Sequence, residues 1–199
     1  MSSETLKHYP LPELEHYKIY GRTDETHYPL PLFFNGSGIE VNVTGSELWI
    51  DVEVDYDVYE PWIFTKLNDA FMSRQMLTKG NHSICLFRGM SPSEVKNMKF
   101  FRELQAMDGD TNCRLLVKGF HSDGFFLPVS EKRYKLEFLG DSLTSGEGTY
   151  GAVCDNDWLP MYMSFSHDYT SMVADALDAD FRLISHGGWG VLCGWDNDP

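Results

Sequence analysis

The stretch Lys135-Leu136-Glu137-Phe138-Leu139-Gly140-Asp141-Ser142-Leu143-Thr144-Ser145-Gly146-Glu147-Gly148 decides how the rest of the chain is read. Its first five residues are a short apolar run with the length of a buried strand. Gly140-Asp141-Ser142, followed by Gly146 and Gly148, then predicts a sharp turn into a helix. A serine on such a turn carries its hydroxyl out past the sheet edge, with its backbone N–H at the start of the next element. That arrangement suits a nucleophile: an exposed Oγ, and a donor for the oxyanion formed when it attacks an ester. Asp and Ser are also common helix starters, so a bare Gly-Asp-Ser would signify only an N-cap. The apolar run before it and Leu143, Gly146 and Gly148 after it favour the nucleophile.

Downstream, Phe165, Tyr169, Met172, Val173, Ala176 and Leu177 recur at helical spacing, predicting an amphipathic helix over Ser164 to Leu177. Phe181 to Ser185 is a second short apolar run. Strand, turn, helix and strand in that order make a βαβ unit, which implies a parallel sheet. Ligands of such sheets collect at the carboxyl ends of the strands, so the loop His186-Gly187-Gly188-Trp189-Gly190-Val191 is expected near Ser142.

Upstream the pattern is different. Ile39, Val41 and Val43 alternate with polar residues, and Thr44-Gly45-Ser46 supplies a turn. Leu48, Ile50, Val52 and Val54 then alternate with Glu47, Trp49, Asp51, Glu53 and Asp55. Two antiparallel strands with one buried and one wetted face account for this, and the carboxylates read as the wetted face. Short apolar runs at 62–65, 71–77, 82–87, 98–104 and 114–120, mostly separated by turn residues, extend the pattern to an all-β sandwich. Ser122-Asp123-Gly124 and Pro128 mark the expected boundary.

The residues 140–148 resemble the first block of the SGNH, or GDSL, hydrolases. The layout of the whole chain is similar to carbohydrate esterase family two, acetyl esterases that act on plant polysaccharides. The resemblance implies two domains: a jelly-roll sandwich over 1–130, then over 131–199 the start of an α/β/α three-layer hydrolase domain. It makes Ser142 the nucleophile and Gly188 the second-block glycine whose N–H serves the oxyanion hole, with Gly187 one position away as the alternative. The family's asparagine and Asp-x-x-His blocks have no counterpart after Gly188, so they are expected beyond residue 199, with this chain an N-terminal portion. Asp24-Glu25-Thr26-His27 matches the last spacing but precedes the serine, and reads as coincidence.

Tyr150, Trp158, Trp189 and Trp195 are aromatic rings near the two loops, suited to sugar faces or to core packing; Tyr150, Trp158 and Trp189 are the candidate substrate contacts. No metal or organic cofactor is implied. A net charge of -14 argues against a nucleic acid or anionic membrane as partner. The substrate class implied is acetylated carbohydrate, and homo-oligomerisation is left open. Four widely spaced cysteines without a Cys-x-x-Cys read as free thiols. With no signal-peptide core and no apolar run of ~20 residues, a soluble cytoplasmic protein is expected unless a leader was removed. A lipid or aryl ester hydrolase, or a carbohydrate-binding sandwich with a vestigial hydrolase part, are the competing readings.

Overall fold

A computed structural model of the chain describes residues 6–190 and 192–194. In chain order the strands are β1 (Lys7–Pro10), β2 (Lys18–Tyr20), β3 (Leu30–Pro31), β4 (Gly38–Val43), β5 (Glu47–Asp55), β6 (Trp62–Leu67) and β7 (Ala70–Met76). They continue with β8 (Gly80–Arg88), β9 (Lys96–Arg102), β10 (Arg114–Ser122), β11 (Phe126–Leu127) and β12 (Tyr134–Gly140). Helix α1 (Tyr169–Ala176) and β13 (Ala179–Ser185) follow.

Two antiparallel sheets face each other. One runs β1-β10-β5-β8 with β3 also on β10, and the other runs β11-β4-β9-β6-β7 with β2 also on β4. Between them lies the main core, to which β5 gives Leu48, Ile50, Val52 and Val54, all at most 2 % exposed. The alternation predicted for β5 is thus found, because a strand turns successive side chains to opposite faces. The same rule does not choose partners. β4 and β5, expected to pair across Thr44-Gly45-Ser46, lie in different sheets, so this turn carries the chain from one layer to the other.

The second sheet is covered on its other face too. Six of the seven residues of β9 are buried, and so are five of the six in β4. What covers them is a two-stranded parallel sheet of β12 and β13, with the segment between them. Tyr20, Phe64 and Phe101 from the sandwich meet Phe165 and Leu183, with Phe138 and Phe181 packed against the cluster. Ring centroids lie 5.0 Å apart for Phe64–Phe101 and 5.2 Å for Phe165–Phe181. Each such pair contributes about 0.5–1.5 kcal/mol beyond its buried area.

Polar contacts edge the cluster. Tyr20 Oη donates to Glu40 Oε2 at 2.6 Å and to Asp180 Oδ1 at 3.1 Å, while Lys18 Nζ lies 2.7 Å from Asp180 Oδ1. Burial, then the Glu40 and Asp180 carboxylates, push the Tyr20 hydroxyl well above the ordinary tyrosine range, so it remains a donor.

This architecture corrects the fold expected from the sequence. Among the described residues the regular structure is nearly all strand with a single α-helix, and the chain is a β-sandwich, not two domains of which the second begins an α/β/α SGNH layer. A three-layer arrangement needs helices on both faces of its sheet. Here α1, eight residues long, is the one α-helix among the described residues, and Phe138 and Phe181 of the parallel strands pack into the cluster shared with the sandwich. The helix expected directly after Ser142 is absent as well, since residues 141–150 form successive turns. The helix expected over Ser164 to Leu177 starts only at Tyr169, where Asp168 caps it by accepting from the Thr170 N–H. Among the described residues no helix is long and apolar enough to cross a membrane, and all four cysteines are unpaired.

Candidate active site

The parallel register pairs Gly140 with Ser185, so the segments that follow β12 and β13 leave the sheet at the same edge. The His186 N–H donates to Gly140 O at 3.3 Å and ties the two exits together. Ser142 sits on the first, half-buried, and no hydrogen bond to its Oγ is made among the described residues. Asp141 closes the turn: its carbonyl accepts from the Ser145 N–H at 2.9 Å and its Oδ1 from the Leu143 N–H at 3.1 Å. The turn ends at Gly146, whose φ of +73° favours glycine and whose missing Cβ leaves room for Ser164 O.

The sandwich holds this turn through buried polar groups. Ser145 is fully buried; its Oγ donates to Ser185 Oγ at 2.8 Å and accepts from Gln105 Nε2 at 3.1 Å. Its carbonyl accepts from Asn35 Nδ2 at 2.6 Å. The nucleophile candidate is therefore three residues from an anchor that joins both parallel strands to the sandwich.

On the second exit, Gly188 has a φ of +78°, and among the described residues neither its N–H nor that of Ser142 makes a hydrogen bond. Glu147 lies between the two exits. Its carboxylate presses on Gly187, where any Cβ would collide with Oε1, and its Oε2 accepts from Trp158 Nε1 at 3.3 Å. Burial pushes the Glu147 carboxyl up; the Trp158 bond and nearby His186 oppose this, and Asp141 adds to it. Trp189 stands edge-on to the His186 ring at 4.9 Å and is 65 % exposed.

Ser142, Gly188, Trp158 and Trp189 thus share one edge, connected through Glu147 and His186. Tyr150 is used differently: its ring covers the Arg74 guanidinium at 4.6 Å and its hydroxyl reaches His167 Nδ1 at 3.0 Å. Trp195 lies outside the described residues. Asp24 and His27 pair with each other at 3.0 Å on an exposed loop between β2 and β3. Sequence reading missed Glu147, although its place between two turn glycines was visible. It also missed Arg74 of β7 and Glu103 just after β9, which brace the segment after Trp158 with no local signal of that role.

No protein-family model and no curated protein matches the chain. The solved structures that superpose on it include an acetyl xylan esterase and carbohydrate esterases of family two, and the identity to the first bears out the resemblance expected from the Gly-Asp-Ser-Leu block. An acetyl xylan esterase of the rumen bacterium Butyrivibrio proteoclasticus is 54 % identical, with a TM-score of 0.94 over 98 % of this chain and 52 % of its own. A family-two esterase of Cellvibrio japonicus, 21 % identical, superposes with a TM-score of 0.82 over 98 % of this chain and 56 % of its own. One from Clostridium thermocellum, solved with cellohexaose, is 19 % identical with a TM-score of 0.80 over 92 % and 55 %. The last two show the shared fold alone. The chain spans about half the length of each.

Proposed function

We propose that this chain carries the nucleophile of a serine esterase that removes acetyl groups from plant polysaccharide or oligosaccharide. The observation that carries the reading is the parallel register, Gly140 beside Ser185, which puts Ser142 and Gly188 on adjoining exits of one sheet edge. The 54 % identity to an acetyl xylan esterase supports the substrate class, and the cellohexaose complex of the Clostridium thermocellum enzyme supports a sugar chain as ligand.

In this mechanism Ser142 Oγ attacks the acetyl carbonyl, and the free N–H groups of Ser142 and Gly188 receive the negative charge on its oxygen. The proton passes to a histidine base and then to the departing sugar hydroxyl; water next cleaves the acetyl from Oγ. Among the described residues no histidine is hydrogen-bonded to Ser142 Oγ. Trp158 and Trp189 offer rings for sugar faces. Residues 1–130 serve as the support, and 131–199 carry the nucleophile and the two oxyanion donors.

The test is hydrolysis of p-nitrophenyl acetate and of acetylated xylan by the natural protein that contains these residues. Ser142→Ala is expected to remove nearly all turnover while circular dichroism stays unchanged. Wild-type turnover in the folded variant would overturn the assignment. Cellohexaose binding with no turnover in the parent would favour a binding module instead.

A further inference from the structure

On the sandwich face remote from the parallel strands, β1, β10 and β5 run side by side and bring three metal-binding side chains together. His8 and His121 are direct cross-strand partners, with rings stacked at 4.6 Å and an interplanar angle of 27°. Asp51, paired with Gly119 on the next strand, points its Oδ2 at both rings: His121 Nε2 is 2.7 Å away and His8 Nε2 3.9 Å. One donor atom from each residue lies within 4.8 Å of the other two.

We propose that His8, Asp51 and His121 bind a divalent first-row transition metal ion of the zinc type. Two imidazole nitrogens and one carboxylate oxygen are a donor set such ions take, whereas calcium and magnesium prefer all-oxygen shells. Bonds of about 2.1 Å set tetrahedrally place ligand atoms ~3.4 Å apart. The 2.7 and 3.9 Å from Asp51 Oδ2 bracket that separation, and the two rings, stacked at 27°, would open on binding so that their in-plane nitrogen lone pairs converge on the ion.

A cross-strand hydrogen bond explains only half of the cluster. It accounts for His121 on Asp51, and the direct strand pairing accounts for the stack, but neither accounts for the His8 Nε2 turned toward the same oxygen from beyond hydrogen-bond reach. One ion accounts for both nitrogens facing the carboxylate. The side chains of His8, Asp51 and His121 are 48, 23 and 32 % exposed, which leaves the fourth position open to water. Each ligand rises from a different strand, so the ion would staple edge strand β1 to β10 and β5. The site stands apart from Ser142 and does not depend on the esterase reading.

The experiment uses protein stripped with a chelator, then titrated with cobalt(II) and with zinc. Wild type is expected to take up one cobalt per chain, with the visible absorption of a low-coordinate site, and to melt at a higher temperature in zinc. His8→Ala removes one ligand from a half-exposed position at the end of an edge strand, so folding is retained. Loss of a second-shell partner already weakens metal sites by 10–100-fold, so His8→Ala should weaken binding by more than about 100-fold. Asp51→Asn should abolish the cobalt spectrum, and His27→Ala, on an unrelated loop, should leave it intact. Equal cobalt affinity in wild type and His8→Ala, or no zinc-dependent rise in melting temperature at millimolar zinc, would overturn the proposal.

Discussion

Replacing Glu103 by Gln tests how the sandwich supports the segment that carries Trp158. Glu103 is fully buried just after β9, and four groups converge on its carboxylate. Arg74 Nε donates to it at 2.9 Å, Ser164 Oγ at 2.5 Å, Ser166 Oγ at 2.8 Å and the Ser166 N–H at 3.0 Å. The Arg74 guanidinium is held between the Trp62 ring at 4.2 Å and the Tyr150 ring at 4.6 Å, and its Nη2 donates to Met163 O at 2.7 Å. Glutamine keeps the shape but removes the charge and turns an NH2 group toward groups that are themselves donors. Breaking a buried pair from one side costs about 3–5 kcal/mol, because the remaining charge stays desolvated. For a chain of this size that is a fall of about 6–20 °C in melting temperature. Denaturant unfolding followed by tryptophan fluorescence measures it. Arg74→Met alone should also destabilise, and the double variant should recover about 2 kcal/mol relative to the sum of the singles. Losses that add to within about 0.5 kcal/mol would refute the coupling, and a loss under about 1 kcal/mol for Glu103→Gln would refute the buried-pair argument itself.

Phe165→Ala empties the centre of the aromatic cluster between sandwich and parallel strands, where Phe165 is 1 % exposed, and should cost about 3–5 kcal/mol in denaturant unfolding; a cost under about 1 kcal/mol would mean the cluster collapses without loss. Asp110 should govern part of the acid stability. Burial pushes its carboxyl up, but the N–H groups of Tyr59, Val58, Asp57 and Asn112 outweigh that and hold it below the usual range. Its contribution is present above the unfolded value of about 3.9 and is lost as pH falls through the lower folded value. Asp110→Ala should therefore cost about 2 kcal/mol near neutral pH, with the gap to wild type closing in acid; a gap that does not narrow would contradict this.

The sequence by itself determined what depends on neighbours along the chain. Alternation assigned Leu48, Ile50, Val52 and Val54 to one buried face, and the order of apolar runs gave the parallel β12–β13 pair. The residues 140–148 carried the resemblance to the family-two esterases. Tertiary structure decided what depends on which surfaces meet. Period two says which side chains share a face but not which strand lies alongside, so β4 and β5 went to different sheets although a turn joins them. Phe165 has the spacing of a helical core residue, yet it precedes α1 and packs with Phe64 and Phe181 instead. The polar groups that brace the Ser142 turn, Asn35 and Gln105, and those that brace the segment after Trp158, Glu103 and Arg74, come from sandwich residues 29 to 110 positions away from their partners. Hydrogen bonds and ion pairs of that kind leave no periodic trace, because their energy depends on distances that exist only once the layers have packed.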